Sequence, residues 1–145
     1  MFRPIISLVL FLALFASSLK AADWPQFRGP NRDGASDDGQ IPTKWDESSN
    51  IVWKQKLPGP GSSSPIVVGN KIYLTCYSGY GLDERNPGDQ SALVRQVLAF
   101  DLKTGKPEWD VPFPASLPEQ DFRGFQALHG YASTTPASDG NSLYV

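Results

Sequence analysis

Val97-Leu98-Ala99-Phe100-Asp101-Leu102-Lys103-Thr104-Gly105-Lys106-Pro107-Glu108-Trp109 reads as a β-hairpin. Val97 to Phe100 is a short apolar run rich in strand formers, Asp101 to Lys106 is a polar turn, and Trp109 lies on the returning strand. Asp and Thr side chains hydrogen-bond nearby backbone N–H groups and so hold tight turns, and Gly105 supplies the positive φ such a turn requires. Trp109 carries a large apolar surface, and one N–H in need of a partner, to a fixed distance past the turn. On these residues alone an ordinary hairpin of some other β protein stays open.

A second hairpin pattern lies on either side of this stretch. Ser62 to Leu74 reads SSSPIVVGNKIYL and Ser133 to Val145 reads STTPASDGNSLYV, with Ser, Pro, Gly, Asn and Tyr coinciding. Two short apolar runs around a Gly-Asn pair make a hairpin, and its recurrence after 71 residues makes a repeat. Repeating β units of the propeller kind run to roughly 40–50 residues. The excess is therefore assigned to two inserts, 78–92 and 111–128, read as polar or Pro-rich surface excursions. Upstream, Ile51 to Leu57 is a strand candidate with Ile51, Trp53 and Leu57 inward, closed by Pro58-Gly59-Pro60-Gly61.

Arg3 precedes the apolar stretch Ile5 to Phe15, which is too short to cross a bilayer as a permanent helix and is followed by small residues. This is the pattern of a secretory signal, with cleavage expected between Ser18 and Asp23. The expected product is exported to the periplasm or the medium, with no membrane attachment after cleavage. Trp24 to Gly34 then alternates apolar residues with Pro and Gly, which forbids a helix and predicts an extended strap packed through Trp24 and Phe27. Ile41 and Trp45 are further apolar anchors.

The run A-x-D-x-x-T-G-K-x-x-W, carried here by Ala99, Asp101, Thr104, Gly105, Lys106 and Trp109, resembles the repeat signature of the quinoprotein-like β-propellers. That family includes the pyrroloquinoline quinone (PQQ) alcohol dehydrogenases and the outer-membrane assembly lipoproteins. W-P-Q-F-R-G-P-N-R-D-G at Trp24 to Gly34 resembles the opening of secreted bacterial members, planctomycete examples among them. The resemblance implies an all-β propeller of four-stranded antiparallel blades, with the signature joining the last two strands of a blade and its Trp docking one blade on the next. It divides the chain into a signal peptide (1–21), an extended strap (22–50) and a propeller repeat region (51–145) holding about one complete blade and the start of another. Closed propellers take 4–8 blades. The expectation is thus the front portion of a longer protein, its remaining blades absent from this chain, with Ile66, Val68, Phe100 and Trp109 exposing surface to water.

Thirteen Lys and Arg stand against 15 Asp and Glu without a basic cluster, which argues against nucleic acid and acidic lipid as partners. Cys76, the only cysteine, sits in an apolar run and reads as a small buried hydrophobe. His129, the only histidine, and Tyr131 precede a repeat's first strand, which in propellers tends to face the central channel or an end surface; these two are the candidate ligand-facing residues. One His and one Cys do not make a transition-metal site. Asp83 to Asp89 lacks the ligand spacing of a Ca²⁺ loop, and Glu119 and Asp121 beside Arg123 read as a solvated polar stretch. No catalytic, cofactor-binding or metal-binding residue is assigned. The resemblance leaves two functions: a non-catalytic exported scaffold that binds protein or polymer partners, which the residues favour, and the amino-terminal part of a PQQ- and calcium-dependent alcohol or sugar dehydrogenase. The second implies adjacent cysteines and a Glu/Asn/Asp calcium set, neither of which is recognisable here.

Overall fold

The two hairpins of the sequence join edge to edge into one sheet. The computed structural model describes residues 23–37, 39 and 41–145, so the signal segment lies outside the described residues. β1 (Ile66–Val68) turns into β2 (Lys71–Ser78), and β3 (Val94–Asp101) turns into β4 (Pro107–Pro114). All neighbours are antiparallel in the order β1-β2-β3-β4. A five-residue helix, α1 (Phe125–His129), comes next, and then a short hairpin of β5 (Ala137–Ser138) and β6 (Leu143–Tyr144). The chain is therefore mostly β, built on a four-stranded antiparallel sheet, as the sequence pattern requires.

Pleating sends alternate side chains to opposite faces. One face carries Ile72, Leu74 and Cys76 of β2 beside Leu98 and Phe100 of β3, and Leu57 packs onto this cluster from the preceding segment. Cys76 is fully buried there, with its thiol 3.6 Å from Gln96 Oε1, and burial raises its pKa. The other face carries Tyr73, Thr75 and Tyr77 beside Arg95, Val97 and Ala99, then Trp109, Val111 and Phe113 of β4. Its Tyr77 end is buried under the β2–β3 connection, which supplies Tyr80 and Leu93, and under the chain that returns after β4, which supplies Tyr131 and Ala132, with Ala115 and Phe122 flanking this second cluster.

Trp24 seals the free edge of β1. Its backbone exchanges two hydrogen bonds with Val67, of 2.8 and 3.0 Å, while Asp23 Oδ1 accepts from the Gly69 N–H and the Pro25 carbonyl accepts from Ser138 of β5. The strap thus ties the first strand of one repeat to the first strand of the other. Only part of it packs. Phe27 is 61% exposed, because a tight turn from Gln26 to Gly29 points its ring outward, and Ile41 and Trp45 are exposed as well.

Several expectations are corrected. Residues 51–57 form no strand; they cross the sheet as irregular chain, with Trp53 and Leu57 half-buried but Ile51 and Val52 exposed. The stretch expected as an insert from Val111 begins inside β4, since residues 111–114 pair with β3. The 78–92 insert is not wholly a surface excursion: Ser78 ends β2, and Tyr80 is core. Ile66 and Phe100 are buried rather than exposed, while Trp109 does keep 38% of its surface in water.

Two turns need glycine. Gly69 (φ +60°) is the first central residue of the β1–β2 turn, and Gly105 (φ +68°) closes the β3–β4 turn. A methyl group at Gly69 would meet open space, but one at Gly105 would lie 2.4 Å from the Trp53 ring. Gly69→Ala should therefore cost only the left-handed backbone penalty, roughly 1–2 kcal/mol. Gly105→Ala should cost more by denaturant unfolding, and the excess should disappear in a Trp53→Ala background. An excess that survives removal of the indole would contradict the packing of Trp53 on this turn.

Candidate functional site

Asp101 organises the β3–β4 turn. Its Oδ1 accepts hydrogen bonds from the Lys103 N–H (3.1 Å), the Thr104 N–H (2.8 Å) and the Thr104 hydroxyl (2.7 Å), and its Oδ2 accepts from Asn70 Nδ2 at 2.5 Å. Bonds from Thr104 above all lower its pKa. Asn70 belongs to the other hairpin, and its carbonyl accepts from the Leu102 N–H, so this carboxylate locks the two turns together. Lys106 is exposed, and its backbone N–H donates to Thr104 Oγ1 at 3.3 Å. The indole of Trp53 lies over Gly105 and donates to the Leu102 carbonyl at 3.0 Å, capping the turn from the preceding segment.

Ala99 is small for a visible reason. It is paired with Tyr73 on one side and Trp109 on the other, and it is fully buried. The two aromatic rings meet across it, with centroids 5.7 Å apart. A longer side chain in the middle of this row would drive the rings apart. Trp109 thus packs on its own sheet, and its remaining surface faces solvent. Beside it Lys71 Nζ bonds the Glu108 carboxylate, which raises the lysine pKa.

The chain after β4 brings Glu119 back over the sheet, where Arg95 Nη1 and Nη2 reach its two oxygens at 2.8 and 2.7 Å. The Glu119 side chain is only 9% exposed, so its expected place in a solvated polar stretch is wrong; Asp121 and Arg123, 3.1 Å apart, do form an exposed pair. Arg95 also donates through Nε to the Tyr131 carbonyl and lies 5.8 Å from the centre of that ring. The Arg95 hydrogen bonds, aided by the Ser116 N–H, hold the Glu119 pKa at about 2 against its burial. An arginine inside the apolar run V-R-Q-V-L-A-F is the signal that a buried acceptor had to exist.

Tyr131 and His129, the two candidate ligand-facing residues, have different surroundings. Tyr131 is buried among Tyr77, Tyr80 and Phe122, and its hydroxyl donates to the Gln120 carbonyl at 2.6 Å; burial pushes its pKa well above the ordinary phenol value. One edge of it borders a cleft of about 300 Å³ together with Arg95, Val97, Phe113 and Val145. His129 is exposed and lies against Phe125, with ring centroids 4.4 Å apart and planes tilted by 39°.

The two copies of the repeat touch each other. The Ser64 N–H donates to Thr135 Oγ1 at 3.0 Å, across 71 residues, which is the spacing of the repeat itself. The Ser62 N–H donates to the Ala132 carbonyl at 3.0 Å, Ser62 Oγ donates to the His129 carbonyl at 2.9 Å, and Thr75 Oγ1 donates to the Thr134 carbonyl at 3.1 Å. The seam is thus a run of hydroxyl and backbone contacts between equivalent Ser/Thr-rich segments.

Cys76 is inside the sheet, Glu119 is bound to Arg95, Asp89 caps the turn at Ser91, and among the described residues no three His, Cys, Asp or Glu side chains converge. Comparison with protein-family models, with curated proteins and with solved structures finds no match for this chain.

The Arg95–Glu119 pair gives a pH signature. A carboxyl whose pKa falls from 4.5 to about 2 on folding adds stability that is complete above pH 4.5 and fades as the pH drops toward 2. Glu119→Gln should lower unfolding stability at pH 7 by about 2 kcal/mol, between the values of surface and fully buried pairs. The gap between wild type and variant should close at low pH. A gap independent of pH would place the stabilisation elsewhere.

Proposed function

We infer that this chain is an exported propeller-type scaffold of the quinoprotein-like kind, which binds protein or polymer partners and carries no catalysis of its own. In this reading β1–β4 is one blade and β5–β6 opens the next. The observation that carries it is the Ser64–Thr135 contact: equivalent residues of two sequence repeats lie side by side, as first strands of adjacent blades do around a propeller axis. Trp53 supports it, because a Trp from the segment before the sheet caps the D-x-x-T-G-K turn. Export rests on Arg3 and the Ile5–Phe15 run.

Binding rather than catalysis is favoured by how the chemically capable side chains are used. The polar groups nearest the seam are hydroxyls, backbone carbonyls and the imidazole of His129 with no carboxylate beside it, and the strongly perturbed Glu119 is tied to Arg95. Absorbance titration of the full chain with PQQ in the presence of Ca²⁺ is the test. The scaffold reading expects no saturable signal. A stoichiometric complex would favour the dehydrogenase reading instead.

A further inference from the structure

At the seam the two repeats leave a concavity of about 460 Å³, lined by Phe27, Ser62, Ser64, His129, Ser133 and Thr135. Its size is in the range of small-ligand sites, roughly 300–1,000 Å³. No Lys, Arg, Asp or Glu contributes to the lining. Phe27 stands 61% exposed at its rim although it lies only three residues beyond the half-buried Trp24.

The hydrogen-bonding capacity of the lining is partly unused. Ser62 Oγ is engaged with the His129 carbonyl, and Thr135 Oγ1 accepts from the Ser64 N–H, which leaves the Thr135 hydroxyl proton to donate. The hydroxyls of Ser64 and Ser133 and the imidazole nitrogens of His129 have no hydrogen-bond partner among the described residues, and the Phe125 ring lies against the imidazole with the planes tilted by 39°. Each hydroxyl can both donate and accept, and so can a neutral imidazole.

These properties select a ligand class. A phosphate, sulfate or carboxylate would find no permanent cation among the lining residues. A wholly apolar ligand would strand the hydroxyls away from water. A ring with an apolar face and a rim of hydroxyls meets both conditions, since the face can stack on Phe27 while the rim bonds groups that donate and accept. We propose that this concavity binds a sugar unit of a neutral glycan, with Phe27 stacking on the ring and His129, Ser64, Ser133 and Thr135 hydrogen-bonding its hydroxyls. The inference rests on the partner-binding reading above and names the polymer.

The test is calorimetric titration of the full chain with cellohexaose, maltohexaose and laminarihexaose, and with polygalacturonate and dextran sulfate as charged counterparts. Saturable binding of at least one neutral hexasaccharide is expected, without binding of the charged polymers. Phe27→Ala and His129→Ala should each weaken it by roughly tenfold with the unfolding midpoint unchanged, because both side chains are exposed. Neutral-glycan binding that both variants retain would overturn this site while leaving the partner-binding reading intact. Preference for a charged polymer would overturn the ligand class and still leave a polymer-binding scaffold. No saturable binding to any of the five probes overturns the inference outright, and the PQQ titration then judges the scaffold reading separately.

Discussion

A four-stranded sheet with large apolar side chains on both faces cannot stand alone in water, and this constraint governs the molecule. One face holds Ile72, Leu74, Leu98 and Phe100, and the chain before the sheet covers it with Leu57 while Trp53 caps the adjoining turn. The other face holds Tyr73, Tyr77, Val97 and Trp109, and the β2–β3 connection and the chain after the sheet cover its Tyr77 end while Trp109 stays 38% exposed. At roughly 25 cal/mol per Å² of apolar surface removed from water, each covering segment stabilises the sheet. The sheet is therefore a middle layer between its covering segments.

The outer part of that second face shows how the edge is kept from pairing at random. β4 carries Pro at 107, 112 and 114 and acids at 108 and 110. Proline offers no donor, and charged side chains on an edge strand oppose the docking of another strand. Trp109, Val111 and Phe113 nevertheless remain 38–50% exposed on the face. Apolar contact is thus available face to face while edge-to-edge pairing is discouraged.

Much of the fold is legible in the sequence because its signals are local. Asp101, Thr104 and Gly105 specify a turn through their own hydrogen bonds and φ, and the apolar runs Ile72 to Tyr77 and Val97 to Phe100, rich in strand formers, mark strands. The repeat is legible for the same reason, and the 71-residue spacing reappears as a contact. The features that escape the sequence depend on distant partners. Glu119 looks solvated among Pro118, Asp121 and Arg123 until Arg95, 24 residues earlier, is placed beneath it. Residues 51–57 alternate like a strand, yet no neighbouring strand pairs with them among the described residues, so they remain irregular. Of the two candidate ligand-facing residues, only His129 turns outward, because Tyr131 is drawn into the aromatic cluster by Tyr77 and Tyr80. Phe27, which lines the seam concavity, reads in the sequence as a packing anchor, and nothing local reveals that its turn points it outward.

The central claim is that the two repeats lie side by side at their Ser/Thr-Pro segments. Nuclear Overhauser contacts between the Ser64 amide proton and the Thr135 side chain test it most directly, because a 3.0 Å hydrogen bond places these protons close together although 71 residues separate them. The account predicts that contact, together with protection of the Ser62 amide bonded to the Ala132 carbonyl. A folded chain in which residues 62–64 show no contact with residues 132–135 would contradict it.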